Sequence, residues 1–141
     1  MPCPFCEIVA GRLPASIVYQ DDTVMAFMDQ TPMTPGHLLV IPKAHYRNIF
    51  DTPPEVAGNV MEVAARLAPA VRQATAAEGL NLHVSNEQVA GQVVWHLHLH
   101  ILPRRYGDGF GLRVPPGYGH RPDRAELDEF ARRIQAAAGE S

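Results

Sequence analysis

The sequence predicts an α+β fold: a five-stranded, mostly antiparallel sheet with one long helix and a C-terminal helix. Three observations support this. Five short runs have strand length and are apolar or alternating, with turns or helical stretches between them. One long run repeats its apolar residues about every 3.6 positions. A shorter apolar stripe follows an aspartate near the C-terminus.

The N-terminal part predicts a short helix and three strands. In order, they are a helix or turn over residues 7–12 and strands over residues 16–20, 23–28 and 37–41. Asp21 and Asp22 suit the turn of a hairpin between the first two strands. Pro42 ends the third strand, because proline cannot donate to a ladder.

The long helix is expected to begin at Thr52. Thr52, with proline after it and Glu55 three residues on, forms a capping-box pattern. Its apolar stripe consists of Val56, Val60, Val63, Ala64, Leu67 and Val71. Pro69 predicts a kink or break near Ala68, because it removes a hydrogen bond and clashes one turn back. Gly79 is expected to end the helix.

The last third of the chain predicts two more strands, a loop and a helix. The strands cover residues 80–85 and 95–102, and a Pro/Gly-rich loop covers 113–122. The final helix follows Asp123, with Glu126 three residues on. Its stripe consists of Leu127, Phe130, Ala131 and Ile134.

Length, charge and hydropathy limit the classes of protein to which this chain can belong. We expect one domain over residues 1–141, with a core at about 3–111 and a C-terminal loop and helix at 112–138. The net charge of −3 predicts no nucleic-acid polymer as partner. No run approaches the ~20 apolar residues of a membrane span, and no secretory signal is evident. A cytoplasmic protein is therefore expected.

Three histidines recur at every second position in the predicted strand at 95–102. On a strand, His96, His98 and His100 would share one face, roughly 6.6 Å apart. The opposite face would carry Leu97, Leu99 and Ile101 and would pack on the core. A single histidine on a strand is usually a surface or hydrogen-bonded core residue. Three in register indicate a functional surface.

Two kinds of chemistry suit such a row. His-x-His is a common ligand pair, and neutral imidazole binds zinc. Histidine also titrates near neutral pH and can act as a nucleophile or an acid–base group at phosphorus. The row alone leaves both readings open.

The residues around the row resemble a known family. Residues 91–104 read Gly-Gln-x-x-x-His-x-His-x-His-Ile-x-Pro-Arg, and residues 34–45 read Thr-Pro-Gly-His-Leu-Leu-Val-Ile-Pro-Lys-x-His. Together with Ala-Phe-Met-Asp at 26–29, they resemble the histidine triad (HIT) family of nucleotide hydrolases and transferases. The resemblance covers about the first three quarters of the chain. It implies a HIT-like fold, a homodimer with a continuous sheet, and the branch of bacterial nucleoside phosphoramidases and dinucleoside polyphosphate hydrolases.

The resemblance implies a reaction at the α-phosphate of a purine nucleoside derivative. His98 would be the nucleophile and form a nucleotidyl-histidine intermediate, while His100 and Gln92 would donate to the phosphate. No catalytic metal or organic cofactor is expected. The alternatives are a dinucleoside polyphosphate hydrolase, a nucleotide-binding sensor with little turnover, or a histidine-ligated metallohydrolase.

The same resemblance implies a nucleotide site. Phe5, Ile8 and Phe27 match the family's base slot, although each could be ordinary core. The polar positions that match are Asp29 for the ribose, Asn86 ahead of the triad, and His37 near the site. No role is expected for His83 or His120.

The Cys-Pro-Phe-Cys tetrad predicts a second site. Cys3 and Cys6 have zinc-ligand spacing, but two cysteines give only half a site. Related proteins with this tetrad imply His45 and His96 as the remaining ligands. The result would be a structural zinc with four protein ligands. The alternative is two reduced cysteines in a tail.

Overall fold

The computed structural model describes residues 3–139. Its elements are α1 (Pro4–Val9), β1 (Ile17–Gln20), β2 (Val24–Met28), β3 (Leu38–Pro42), α2 (Pro54–Thr75), β4 (Gly79–His83), a 3-10 turn (Gln88–Ala90), β5 (Leu99–Arg104) and α3 (Arg124–Gly139). The strands form one sheet in the order β1-β2-β3-β5-β4, and every neighbouring pair is antiparallel. The predicted α+β fold is confirmed.

The two faces of the sheet are buried by different elements. On one face, alternate residues of β2, β3 and β5 pack with Val60, Val63 and Ala64 of α2. The other face packs against α1, through a cluster of Phe5, Met25, Phe27, Leu39 and Ile41. The site histidines lie on this second face, beside Phe5.

The predicted limits of α2 are wrong at both ends, and the structure shows no break at Pro69. The N-cap is Pro53, because the Thr52 hydroxyl donates to the backbone oxygen of Asn48 at 2.6 Å instead of capping the helix. The helix runs without a break through Pro69. It ends at Thr75, and Ala76 takes the left-handed conformation that terminates it.

The predicted helix or turn at 7–12 begins earlier in the structure. Cys3 is the N-cap, since its Sγ accepts from the Cys6 amide at 3.3 Å, and Pro4 follows at the first helical position. Helix α1 therefore covers Pro4–Val9 and turns Phe5 into the core.

The triad strand is shorter than predicted, and only His100 lies in it. The β3–β5 ladder begins at the pair Val40–Leu99. Upstream of it, the Leu97 amide donates to the Tyr46 oxygen at 2.7 Å, and the Pro42 oxygen accepts from the His96 ring at 2.8 Å. These bonds tie His96 and Leu97 to the end of β3 and to the loop after it, in place of a ladder.

The chain divides into two compact parts, one up to Asp108 and one from Gly109 onwards. The second part contains α3, whose first turn is capped by Asp123 Oδ1, an acceptor for the Glu126 amide at 2.9 Å. Within it, the apolar side chains of Leu127, Phe130 and Ile134 are exposed. No helix in the described part of the chain is long and apolar enough to span a bilayer.

Candidate active site

The site is a line of rings on the α1 face of the sheet. Phe5 meets His98 edge-on, with ring centroids 5.2 Å apart. His98 lies 4.8 Å from His100, and His100 lies 5.1 Å from His37. His37 and His98 are buried, while His100 is partly exposed. The line thus runs from the apolar Phe5 ring to a polar group of histidines, in which His100 is the most exposed of the three.

The tautomer of His98 is fixed by its own backbone. Its Nδ1 lies 2.7 Å from the carbonyl oxygen of His96. A carbonyl only accepts, so Nδ1 carries the hydrogen and Nε2 keeps its lone pair. His98 is therefore oriented with a nucleophilic nitrogen away from the backbone bond.

The tautomer of His100 follows from a chain of three groups. The Met33 amide donates to His37 Nδ1 at 3.1 Å, which places the hydrogen of neutral His37 on Nε2. His37 Nε2 lies 2.9 Å from His100 Nδ1 and donates to it. The hydrogen of His100 is consequently on Nε2, where it can serve as a donor.

Burial keeps these histidines neutral. Removal of water from the ring is the main cause that lowers the pKa of His37, His98 and His100, and that of His100 falls to about 4. Neighbouring histidines lower the pKa of His100 further, and Asp29 opposes the shift. At neutral pH, the His98 ring is thus neutral, with an unprotonated Nε2.

Asp29 has two roles in the structure. Its Oδ1 accepts from the Thr31 amide at 2.8 Å, which is an Asx turn after β2. Its Oδ2 lies 3.5 Å from His37 Nε2 and faces the histidines. The two interpretations of Asp29, turn former and site carboxylate, are therefore compatible.

The three residues expected in a base slot are neighbours. Phe5 and Phe27 are buried, with ring centroids 5.4 Å apart, and Ile8 packs against the same cluster. Because Phe5 also contacts the His98 ring, this cluster lies next to the proposed nucleophile.

Gln92 is 3% exposed and holds two loops together. Its Nε2 donates to the backbone oxygens of Arg47 and Val94 at 2.7 and 3.0 Å. Its Oε1 accepts from the Glu87 amide and from Asn48 Nδ2 at 2.9 and 3.1 Å. Both amide donations go to backbone oxygens of the protein, which leaves none for the predicted donation from Gln92 to the phosphate. The side chain instead fixes the segment that leads into the triad.

Asn86 and Glu87 extend this network. Asn86 Oδ1 accepts from the Ile49 amide at 2.8 Å, and Glu87 Oε2 accepts from Asn48 at 2.8 Å. Glu87 adopts φ 79 and ψ 157, a conformation used almost only by glycine. Sequence reasoning missed Asn48 and Glu87, since their partners are about 40 positions away.

Cys3, Cys6, His45 and His96 come together as predicted, with all ligand atoms within 4.8 Å of one another. His96 Nδ1 lies 3.3 Å from Cys3 Sγ, 3.6 Å from Cys6 Sγ and 3.3 Å from His45 Nδ1. Tetrahedral zinc with two thiolates and two imidazoles requires separations of about 3.3–3.8 Å. The cluster fits that ion.

The protonation of His96 supports the same fit. Its Nε2 donates to the Pro42 oxygen, so the lone pair is on Nδ1, facing the cysteines. Burial, followed by the neighbouring Cys3, raises the pKa of Cys6 to about 11 without a metal. A bound cation would reverse that shift, because metal-bound thiols lose their proton.

Asp29, His37 and His100 form a second cluster of possible ligands. Its chemistry does not suit a metal ion. The Met33 amide occupies His37 Nδ1, so the Nε2 of neutral His37 carries a hydrogen and has no lone pair to offer. This cluster is a hydrogen-bonded relay.

His83 is the residue whose position differs most from the sequence interpretation, which gave it no role. It is the cross-strand partner of His100 in the β4–β5 ladder, with ring centroids 5.5 Å apart. Its Nε2 lies 2.8 Å from Ser85 Oγ. The alternation of the sequence around 80–84 placed it on a polar face, but it did not identify that face as the site.

Comparison with known proteins agrees with the fold and the site. The fold and histidine row define a histidine triad protein, and residues 10–107 match the model of the HIT domain. The chain belongs to the HIT family. The crystal structure of SMU.412c from Streptococcus mutans UA159 is similar, with a TM-score of 0.90 and 43% identity over 96% of this chain and 85% of that chain.

Two further relatives bear on chemistry. A Zn-bound histidine triad family protein from Mycobacterium smegmatis is 38% identical, with a TM-score of 0.75 over 99% of this chain and 97% of that chain. Adenylylsulfatase HINT3 of Arabidopsis thaliana is 39% identical over 106 residues, which are 75% of this chain and 54% of that protein.

Proposed function

We propose that this protein hydrolyses purine nucleoside 5′-phosphate derivatives at the α-phosphorus, with His98 as nucleophile. The observation that carries the proposal is the fixed tautomer of His98, which leaves a neutral Nε2 lone pair beside an apolar slot. The adenylylsulfatase relative supports cleavage at the phosphorus of an adenylyl group.

The reaction has two displacement steps. His98 Nε2 forms a bond to the α-phosphorus, and the bond from phosphorus to the leaving group breaks; an amine leaving group then takes its proton from water. Water next forms a bond to the phosphorus while the bond from phosphorus to His98 Nε2 breaks; the nucleoside monophosphate leaves, His98 is neutral again, and a proton of the attacking water goes to solvent. Two displacements in sequence replace one difficult step.

The other residues stabilise charge and hold geometry. His100 Nε2–H donates to a non-bridging oxygen, where charge accumulates in the transition state. Asp29 Oδ2 accepts from the ribose, Phe5, Ile8 and Phe27 enclose the base, and Gln92 positions the segment before the triad. His37 sets the tautomer of His100.

We also propose that Cys3, Cys6, His45 and His96 hold a structural zinc ion. Four protein ligands complete a tetrahedron and leave no position for water or substrate. Zinc would link α1 to the segment that carries His98. No step of the reaction involves it.

The test compares wild type with His98→Ala and with the control His120→Ala, which changes an exposed histidine of the second part of the chain. Adenosine 5′-phosphoramidate, adenosine 5′-phosphosulfate and a diadenosine polyphosphate are the substrates. We expect His98→Ala to bind AMP but to lose turnover at least a thousandfold, on the order of the loss of a covalent nucleophile.

A quenched reaction with α-labelled substrate should give an acid-labile adduct on wild type and none on His98→Ala. Turnover by His98→Ala within a few-fold of wild type overturns the assignment. AMP binding with no turnover of any substrate by wild type favours a sensor over an enzyme.

A further inference from the structure

His83 and Ser85 extend the line of rings beyond the triad. Antiparallel partners that lie directly opposite share a face of the sheet, so His83 projects beside His100. Its ring is exposed, whereas Ser85 is buried, and Ser85 Oγ lies near the backbone of Gly91. The pair bridges β4 and the loop that Gln92 fixes.

The hydrogen bond between His83 and Ser85 leaves one hydrogen-bond donor of the pair unused. A neutral imidazole has one N–H and a serine has one O–H, and their 2.8 Å contact uses only one of these. The other hydrogen is available to an acceptor, whichever way the bond runs.

The position of the pair matches one part of the substrate. The slot at Phe5 and Phe27 is at one end of the ring line, His98 and His100 are in the middle, and His83 is at the other end. With the base in the slot and the α-phosphorus at His98, the leaving group extends towards His83. The exposed ring faces solvent, through which that group departs.

Electrostatics agree with this placement. After burial and the two nearer histidines, a charge on His83 is among the effects that lower the pKa of His100. His83 is therefore close enough to interact with charge at that ring.

We propose that His83 and Ser85 form a subsite for an oxyanion leaving group, so that this protein prefers adenylyl sulfate or adenylyl phosphates to adenylyl amines. This rests on the proposed function and deepens it by naming the substrate class. A sulfate and a phosphate both present charged oxygens that His83 and Ser85 can bind. The experiment below uses one substrate of each kind to tell them apart.

The test measures kcat/KM for adenosine 5′-phosphosulfate, a diadenosine polyphosphate and adenosine 5′-phosphoramidate. His83→Leu removes the donor, Ser85→Ala removes the other half of the pair, and His120→Leu is the matched control. The ratio of each oxyanion substrate to the phosphoramidate should fall about tenfold in His83→Leu, the order expected for one hydrogen bond to a charged group. If the two residues act as a pair, this ratio in the variant that combines His83→Leu with Ser85→Ala should be little lower than in His83→Leu alone.

A binding arm gives an answer even without turnover. Calorimetry on His98→Ala, with and without His83→Leu, gives the affinity for adenosine 5′-phosphosulfate relative to AMP, and we expect the same tenfold loss. Ratios that stay within twofold of the parent in both arms overturn the subsite. If wild type shows no turnover but His83→Leu still lowers the binding ratio, the enzyme assignment is overturned and the subsite is supported.

Discussion

Each histidine of the site owes its protonation pattern to an atom outside the reacting centre. The tautomer of His98 is set by the His96 oxygen, and that of His96 by the Pro42 oxygen. The Met33 amide sets the tautomer of His37, and His37 in turn sets that of His100. Backbone atoms act directly on His98, His96 and His37, whereas His100 is reached through the His37 side chain. The tautomer of His98 is therefore fixed by the backbone path, and that of His100 depends on His37 as well.

Glu87 carries strain that a matched pair of variants should reveal. Glu87→Ala removes its side-chain bonds and keeps the unfavourable backbone, while Glu87→Gly removes both. We expect the glycine variant to be more stable than the alanine variant by about 1–3 kcal/mol. Urea unfolding of both proteins gives the difference.

The control is Ala57 of α2, where alanine should be more stable than glycine, as in any helix interior. A glycine variant at position 87 that is no more stable than the alanine variant would show that the backbone is relaxed there.

The lowered pKa of His100 predicts acid sensitivity. The unfolded ring takes up a proton near pH 6.5, whereas the folded ring resists it until about pH 4. As pH falls through that window, the unfolded state binds more protons, and the free energy of unfolding decreases. His100→Gln should lower the slope of stability against pH between 6.5 and 4.

Chemical denaturation at pH 7, 6, 5 and 4 measures both slopes. His120→Gln, at an exposed position, should keep the wild-type slope. Equal slopes for His100→Gln and wild type would contradict the burial effect.

At the scale of elements, the pattern of the sequence predicted the five strands and both long helices. It failed where side chains compete with the backbone. The 95–102 run alternates like a strand, but the Pro42 oxygen is taken by the His96 ring and the Leu97 amide by Tyr46, so the ladder starts at Leu99. The Thr52 hydroxyl similarly donates to the backbone oxygen of Asn48 and does not cap the helix.

The candidate site was predictable only where residues repeat or form a motif. The His row and the Cys-x-x-Cys pair were visible for that reason. The bonds of Gln92 to Asn48 and Arg47 cross 44 and 45 positions and have no local signal. Likewise, His83 gains its importance from a strand register that periodicity does not specify.

The proposed zinc links elements that are distant in sequence, so its removal should destabilise the fold. A strong chelator should lower the melting temperature, since metal binding is part of the folding free energy. Activity measured well below that temperature should largely survive. Calorimetry with elemental analysis of the same sample is the measurement.

Matched histidine variants identify the ligands. His96→Asn should lose the metal, and His100→Asn should retain it. Metal content that survives Cys3→Ser with Cys6→Ser would place the ion elsewhere, and loss of activity on chelation without unfolding would favour a metallohydrolase.

For the whole molecule, we propose a homodimer through the β4 edge of the sheet. The sheet has two edges, β1 and β4, and Val18 and Leu82 are similarly exposed on them, at 45% and 43%. The β4 edge adjoins an open groove against α2 lined by Ala65, Ala68 and Pro69. The groove is also lined by Arg72, Gln73 and Glu78, and this mixture of small apolar and polar side chains suits a second copy related by a two-fold axis.

The Leu82→Lys variant should therefore be more monomeric than wild type, because a lysine on an edge strand opposes pairing with a second copy. Val18→Lys, on the other edge, is the control and should leave the mass unchanged. Sedimentation velocity over a range of concentrations distinguishes them. A monomeric wild type, or equal effects of both variants, would contradict this interface.

The pairing of β3 with β5 also determines when the site is assembled during folding. Leu39 and His100 are ladder partners that are 61 positions apart, whereas the β1–β2 and β2–β3 pairs are local. Closing such a long loop is slow compared with forming hairpins, because its entropy is lost before the contacts form. The N-terminal three strands should thus be in place before His98 and His100 reach their partners. A refolding chain would recover its three N-terminal strands before it recovered the site.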